Sequence, residues 1–479
     1  MHQLTNFNRR QLLQSLGCGF GHLAASALTC SSHASEQASN AVNPLSAMTP
    51  HFPARAKRII FVFMQGGPSH VDTFDYKPIL EKRNGEKEVF DDARVLAKRK
   101  EVIKHRIFQS PWKFKQHGEC GQYVSELFPH IAKTVDDLCF LKGMHTNGVA
   151  HGPATLFLHT GSINLIRPSL GSWVLYGLGS ENENLPGFVT LQPAMGNGGP
   201  RNYNNAFLPP VYQGTAIGRA GGNANNIKLK NISNGKWTQG QQEQQLEVLR
   251  RLNEQQVAKH AASGEFDAVL NSYELAWRMQ ITAPDLLDLS DEPEHIQKMY
   301  GIGQEKTDNF GRQCLMARRL CEAGVRFVQV NYGDNTNNPR WDQHSNLKKH
   351  EEHAFNTDQP VAGLIQDLKQ RGLLEDTLIW WGGEFGRTPY AQDNGTGRDH
   401  NPDGFSIFAA GAGLKPGFSY GETDEFGHHA IQGKVHMHDW HATLLHLLGL
   451  NHEELTFRHD GRDFRLTDVH GEVVHEIMA

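Results

Sequence analysis

Carboxylate and imidazole side chains recur in this sequence at spacings suited to holding a cation. Asp342 and His344 are separated by one residue, and in extended backbone such residues point to the same side. Further along, Glu384, Arg387 and His400 lie within one glycine-rich stretch. Imidazoles and carboxylates are common ligands of divalent metals, and a guanidinium binds anions. We therefore expect a metal or anion site. In the plainer interpretation, Arg387 only forms an ion pair with Glu384.

Two other stretches add candidate residues. His70 and Asp72 lie in GGPSHVDTFD, shortly after an apolar run. They are candidate ligands, although Asp72 could equally serve only to cap a turn. His151 precedes Gly-Pro and an apolar helical segment, which places it near a helix N-terminus, where the helix dipole favours anions and neutral imidazole. His159, later in the same segment, is interpreted as a buried structural histidine.

The elements that must position these residues are short apolar runs alternating with amphipathic segments. This alternation predicts an α/β fold with a mainly parallel sheet, in which ligands bind beyond the carboxyl ends of the strands. Strands are predicted at 58–64, 137–142, 325–331, 378–381 and 405–410, and helices at 241–260, 266–279, 309–323, 361–373 and 439–450. The stretches 382–400 and 187–236 are predicted to be loops, because glycine and asparagine are frequent there.

Composition and charge narrow the class of protein. The formal net charge of −5 shows no basic excess, so we expect no nucleic-acid partner. The 27 histidines are scattered rather than tandem, and such an excess of imidazole favours metal chemistry.

The N-terminus carries features of an export leader. The pair Arg9-Arg10 precedes a mild apolar run, and no acidic residue occurs before Glu36. Residues 1–34 are therefore predicted to be a twin-arginine-type signal peptide, which implies an exported protein of the periplasm or the extracellular space. The apolar run is too short to span a bilayer, so no transmembrane segment is predicted.

The rest of the chain is predicted to form one large domain. Residues 35–56 are interpreted as a linker, 57–470 as the domain, with insertions near 79–115 and 195–300, and 471–479 as a C-terminal tail. Of the four cysteines that follow the leader, Cys120 and Cys139 could form a disulfide in an oxidising compartment.

The motifs GGPSHVDTFD, HGPATLFLHTG, WDQH, GGEFGRTP, GRDH and HDWHATLLHLLGL, in this order, resemble the domain-of-unknown-function 1501 family of exported proteins. The resemblance covers roughly residues 55–470. That family is in turn similar to the alkaline phosphatase/sulfatase superfamily. The resemblance implies an alkaline phosphatase-like three-layer sandwich with a mainly parallel central sheet and helical and loop insertions.

The resemblance also implies roles for individual residues. In the superfamily, two metal ions bind a phosphate or sulfate ester, and one of them is held by an Asp and two His residues, which Asp342, His344 and His400 match. The second metal of the superfamily is bound in part by an Asp-His or Asp-Asn pair after a later strand, and Glu384 stands at the position of the first residue of that pair. Gln65 stands where the superfamily has an aspartate ligand after the first strand. Asp72 or His70 could replace that missing aspartate as a metal ligand. The metal is expected to be zinc, calcium or manganese.

The position of the nucleophile differs from the superfamily pattern. His151 stands near the place where a Ser, Thr or formylglycine would lie, and the sulfatase-type motif C-x-P-x-R is absent from the sequence. Hydrolysis would then proceed in one step through water activated by a divalent ion, with His151 as general base or acid and Arg387 holding the ester oxyanion.

The function expected from the resemblance is a metal-dependent hydrolase of sulfate or phosphate esters. Its substrate would be a small anionic ester or a sulfated polysaccharide. The alternative is a non-catalytic envelope protein of the same fold that binds a ligand or partner. A metal-independent carbohydrate-binding module is disfavoured, because the acidic and histidine clusters follow strand ends. The sequence leaves the oligomeric state open.

Overall fold

The centre of the molecule is a β-sheet of nine strands within residues 44–91, 103–227, 237–257, 264–392 and 395–479, which the computed structural model describes. The strands of the chain are β1 (Arg58–Met64), β2 (Lys87–Phe90), β3 (Ile103–Arg106), β4 (Phe114–His117), β5 (Gln122–Ser125), β6 (Leu138–His145), β7 (Phe188–Leu191), β8 (Thr215–Ile217), β9 (Phe327–Tyr332), β10 (Thr377–Gly382), β11 (Gly386–Ala391), β12 (Arg398–Asn401), β13 (Phe405–Ala410), β14 (Phe418–Tyr420), β15 (Glu422–Thr423), β16 (Ala430–Gln432), β17 (Val435–His436), β18 (Phe457–His459) and β19 (Arg462–Phe464).

Along the sequence, most helices lie between successive strands of the sheet. They are α1 (Pro78–Lys82), α2 (His151–Thr160), α3 (Leu170–Leu178), α4 (Gln239–Val257), α5 (Gly264–Leu287), α6 (Glu294–Met299), α7 (Asp308–Glu322), α8 (Lys349–Gln370) and α9 (Met437–Leu447). None of the helices in the described ranges is both long and apolar enough to cross a membrane.

The central sheet has the order β14-β6-β13-β10-β1-β9-β7-β8, and β17 pairs with β6. β1 is parallel to both of its neighbours, β10 and β9, while β13 is antiparallel to β10 and β6. The predicted α/β fold with a mainly parallel sheet is confirmed. The carboxyl ends of β9, β1 and β10 lie side by side, so the loops that follow these three strands meet at one edge.

Helices cover both faces of the sheet. Alternate residues of β1 point to opposite sides: Ile60 and Val62 belong to a core shared with α7 and α8, and Ile59 and Phe61 to a core shared with α2, α3 and α9. All seven residues of the strand are buried, as expected for a strand covered on both faces. The predicted three-layer arrangement is confirmed.

Two predicted loops contain strands. In 187–236, β7 and β8 extend the sheet at its edge, although their few residues make too short an apolar pattern to read from the sequence. In 382–400, β11 and β12 form an antiparallel ribbon, and Arg387 pairs in register with His400. The prediction of continuous loops was wrong in both places, because the pairing partner of a short strand is set by tertiary structure.

Helix α8 begins well before the predicted range. Its first part, residues 349–359, is rich in polar residues and lacks the apolar spacing from which the helix was predicted. Pro360 lies inside the helix.

Several predictions on the termini and cysteines can be placed in the structure. The predicted leader, 1–34, lies outside the described residues. Within the predicted linker, the part from residue 44 onward packs on the domain, and the N–H groups of Arg55 and Ala56 donate to Leu447 O. Cys120 and Cys139 are free thiols, so the disulfide considered for them is not formed.

Candidate metal centre

Three histidine side chains converge on one carboxylate oxygen of Asp342 at the edge where β9, β1 and β10 end. Asp342 Oδ1 lies 3.1 Å from His151 Nε2, 2.8 Å from His344 Nε2 and 3.3 Å from His400 Nε2. Asp342 and His344 follow β9, His400 lies on β12, and His151 is the first residue of α2. The four ligand atoms all lie within 4.8 Å of one another.

The second ring nitrogen of each histidine faces an oxygen atom. The Nδ1 partners are Glu384 Oε1 for His151 at 2.6 Å, Gln392 Oε1 for His344 at 2.6 Å and Val149 O for His400 at 2.9 Å. Since carboxylate, amide and backbone oxygens are acceptors, we assign the ring hydrogen to Nδ1 in all three histidines. Each Nε2 then directs a lone pair towards Asp342. This is the arrangement in which metal-binding histidines are usually held.

The spacing of these atoms fits a bound cation. His344 Nε2 and His400 Nε2 lie 3.0 Å apart, and two lone pairs at that distance repel each other unless a positive charge lies between them. His151 Nε2 is buried and forms no hydrogen bond of acceptable geometry. A tetrahedral zinc ion with bonds of about 2.0–2.1 Å separates its ligands by about 3.3 Å. The donor set and its separations therefore fit a divalent ion.

The electrostatics of the group also favour a cation. Burial opposes ionisation of Asp342, but its contacts with the three imidazoles and the charge of the nearby Arg387 outweigh it and hold the pKa of Asp342 well below its ordinary value. Burial lowers the pKa of His400 to about 4, so this imidazole is neutral at physiological pH. For His151, burial is outweighed by the neighbouring carboxylates of Asp342 and Glu384, which raise its pKa.

Glu384 lies behind His151 rather than among the four converging atoms. It is fully buried, and besides His151 it accepts the backbone N–H of Gly66 at 3.0 Å and 3.1 Å through its two oxygens. Gly66 has φ +112°, and a Cβ there would lie 2.7 Å from Asp342 N. Glu384 thus joins the loop after β1 to His151, and the structure places this predicted metal ligand in a supporting position.

Arg387 is enclosed by protein atoms. Its guanidinium donates to Gly67 O at 2.9 Å, to Gly66 O and to Asp342 Oδ1 at 2.7 Å, and the side chain has no exposed surface. The ion pair with Glu384 considered from the sequence is replaced by one with Asp342. Arg387 therefore fixes Asp342, and it faces backbone carbonyls where the sequence analysis expected a substrate oxyanion.

His70 and Asp72 are held by other partners. Asp72 accepts two hydrogen bonds from Arg398, at 2.7 Å and 3.1 Å, and both side chains are fully buried. His70 Nε2 lies 2.7 Å from Gly427 O. Gln65 Oε1 accepts the N–H of Asp334 at 3.2 Å. The structure brings neither of the two proposed replacements for the first-strand aspartate into the group around Asp342.

Two residues that support the site could not be predicted from the sequence. Gln392 and Val149 fix the tautomers of His344 and His400, but an amide side chain and a backbone carbonyl leave no recognisable pattern in a sequence. Other predictions match the geometry: His159 is buried, with Nδ1 at 2.7 Å from Thr155 O and Nε2 at 2.9 Å from Gln329 Nε2.

The fold and the site define the class: an α/β protein whose candidate metal centre lies at the carboxyl ends of adjacent parallel strands. The chain belongs to the family described as "Protein of unknown function (DUF1501)", whose model matches residues 56–478. No protein of curated function matches the chain.

Similar solved structures come from the alkaline phosphatase/sulfatase group. The lipoteichoic acid synthase LtaP from Listeria monocytogenes aligns with 9% identity over 88% of this chain and 78% of its own, with a TM-score of 0.37. The alkaline phosphatase from the Antarctic bacterium TAB5 aligns with 10% identity over 83% and 99%, with a TM-score of 0.31. The PsFucS1 sulfatase from Pseudoalteromonas sp. aligns with 14% identity over 68% and 63%, with a TM-score of 0.32.

Proposed function

We propose that this protein is an exported, metal-dependent hydrolase of sulfate or phosphate esters, including those of sulfated polysaccharides. The observation that carries the proposal is the convergence of three imidazole Nε2 atoms on Asp342 Oδ1, each with its Nδ1 directed at an oxygen. The motif resemblance to sulfatase-like proteins supports the choice of ester. The twin-arginine-type leader supports export to the periplasm or beyond.

The donor set narrows the choice of metal. Calcium is normally bound by oxygen atoms, whereas imidazole suits zinc and other transition metals. Of the three expected ions, zinc is therefore favoured over calcium and over manganese, which prefers carboxylate, carbonyl and water ligands. Asp342, His344 and His400 would hold the ion, and three protein ligands with a further position open are typical of catalytic zinc. A divalent ion at this point supplies Lewis acidity and lowers the pKa of water.

The protein side chains supply the remaining chemistry. His151 Nε2 faces the ligand group, and Glu384 holds its Nδ1–H, so the two form a carboxylate–imidazole pair able to accept a proton from attacking water. His151 stands where the resemblance implies a hydroxyl nucleophile, which favours a single displacement by water. That water bonds to sulfur or phosphorus as the ester oxygen leaves, and His151 returns the proton to the leaving oxygen. Arg387 positions Asp342.

The test combines metal content with activity. Protein purified without chelator is analysed for bound elements and assayed on aryl sulfates and aryl phosphates. His344→Ala should abolish hydrolysis and the metal bound at this centre, because it removes one ligand. His459→Ala is the matched control, since His459 is partly exposed, lies beside Asp460 and stacks on Phe207, and belongs to neither group of candidate metal ligands. Metal content that is unchanged in His344→Ala would remove the basis of the proposal.

One observation favours the alternative of a non-catalytic protein. Asp342, His151 and His400 are buried, and the side chain of His344 is only 17% exposed. Closed four-ligand sites are typical of structural zinc. In that case metal removal would lower the melting temperature, and every ester in the screen would be left intact by the metal-loaded protein.

A further inference from the structure

A second group of metal-binding side chains lies at the end of β2 and in the turn between β15 and β16. Asp91 Oδ1 is 2.6 Å from His429 Nε2 and 3.7 Å from His428 Nδ1. The three ligand atoms lie within 4.8 Å of one another. We propose that Asp91, His428 and His429 bind a divalent transition-metal ion such as zinc at a site separate from the centre at Asp342.

The turn that carries the two histidines is fixed by Asp424. Its Oδ1 accepts the backbone N–H groups of Phe426 at 3.0 Å and His428 at 2.8 Å, and its Oδ2 accepts that of His429 at 2.9 Å. The backbone of both histidines is therefore ordered by contacts that involve no ion. Such preorganisation reduces the entropy lost when an ion binds.

The ring of His428 is also held in place. It is buried, and its ring centroid lies 5.3 Å from that of Phe90 and 5.8 Å from that of Tyr390. Asn401, the last residue of β12, donates to His428 O at 2.9 Å. Because Phe90 immediately precedes Asp91, the same packing brings the carboxylate to the imidazoles.

The donor chemistry matches a transition metal. Two imidazoles and one carboxylate, with further positions open, are a common ligand set for such ions. The distances from Asp91 Oδ1 to the two histidine nitrogens are 2.6 Å and 3.7 Å. They lie below and above the distance of roughly 3.3 Å between two ligand atoms of a tetrahedral zinc ion. The side chain of Asp91 is 66% exposed, so solvent can supply the missing ligands. A simple ion pair between His429 and Asp91 would not require His428 Nδ1 to face the same oxygen.

An ion at this position would connect two distant parts of the chain. Asp91 and His429 are 338 positions apart, and Asp91 is joined to the hairpin of β2 and β3, which lies outside the central sheet. An ion that binds the folded state but not the unfolded chain stabilises the folded state. The melting temperature should therefore rise with zinc in the wild type and rise less when His429 is replaced.

The test counts metal sites in the full-length protein. Protein stripped with EDTA is titrated with Zn²⁺ by isothermal titration calorimetry, and Co²⁺ absorption spectra provide an independent record of the ligands. His429→Ala and Asp91→Asn should each weaken one class of site at least about tenfold and leave the other unchanged. His344→Ala should remove the other class, so this proposal and the hydrolase proposal fail separately.

Controls exclude trivial explanations. His459→Ala removes a partly exposed histidine beside an aspartate and should bind zinc like the wild type. Circular dichroism in EDTA should be identical for all variants that are compared. Stoichiometry and affinity in His429→Ala and Asp91→Asn that equal those of His459→Ala would overturn the proposal.

Discussion

Replacing Glu384 with glutamine removes one charge from a fully buried position and changes the volume very little. In the wild type, Glu384 Oε1 accepts from His151 Nδ1 at 2.6 Å and from Gly66 N at 3.0 Å, and Oε2 accepts from Gly66 N at 3.1 Å. In Glu384→Gln, one oxygen can still accept from His151. The amide nitrogen then faces the N–H of Gly66, so two donors oppose each other.

The size of the effect follows from these bonds. Charge-assisted hydrogen bonds contribute about 1.5–3 kcal/mol and neutral ones about 0.5–1.5 kcal/mol, so the exchange should lower the free energy of unfolding by about 1–2 kcal/mol. Outer partners of metal-site histidines typically affect activity or metal affinity by about 10–100-fold. We expect kcat/KM to fall within that range, with the fall mainly in kcat, because Glu384 orients His151 and does not itself contact the substrate.

The assay measures steady-state hydrolysis of an aryl ester, elemental content and urea unfolding on the same preparation. Bound metal should stay at the wild-type level, since Asp342, His344 and His400 are untouched. Glu375→Gln, at an exposed position shortly before β10, is the matched control and should change none of the three quantities. If kcat/KM and unfolding free energy in Glu384→Gln both equal those of the control, the proposed role of Glu384 is wrong.

Three further predictions concern His151, the ion pair of Asp72 with Arg398, and the buried His441. His151→Gln should retain bound metal but lose at least about 100-fold in kcat, as expected for loss of a general base; loss of metal as well would show that His151 is a ligand. Arg398→Met leaves the buried Asp72 carboxylate without its partner and should lower the free energy of unfolding by about 3–5 kcal/mol in urea titrations; a loss below about 1 kcal/mol would contradict the buried ion pair. Burial lowers the pKa of His441 to about 3, so the native state leaves this imidazole neutral while the unfolded chain protonates it below pH about 6.5. The stability that His441 contributes is thus present above pH 6.5 and is lost as the pH falls towards 3. The variant His441→Gln can still donate a hydrogen bond to Leu158 O. It should reduce the slope of the unfolding free energy against pH by up to about 1.4 kcal/mol per pH unit between pH 6 and 4, and an unchanged slope would contradict the low pKa.

Much of the sheet could be predicted because burial on both faces leaves a direct mark in the sequence. Residues 59–64 form an uninterrupted apolar run after Arg58, and β1 has the predicted bounds. β7 and β8 lack such a run, and their place in the sheet depends on pairing with β9 and with each other. A short strand of mixed composition cannot be told from a loop until its partner is known.

The candidate site was predictable in part for a related reason. Asp342, His344 and His400 could be grouped because strand ends in a parallel sheet meet at one edge. The sequence could not show that Arg387 turns inward to the backbone or that Asp72 pairs with Arg398. Both outcomes depend on which buried charges neutralise each other, and that is decided by three-dimensional packing.

The bonds of Glu384 have a consequence for the order of folding. They join residues that are far apart in the chain: Glu384 is 318 positions from Gly66 and 233 positions from His151. Contacts of such long sequence separation form slowly, because a large loop must close before they stabilise anything. The four converging side chains should therefore come together only when the sheet is complete. A Co²⁺ spectrum from this centre would then follow the last step of refolding, and it would distinguish finished molecules from compact intermediates.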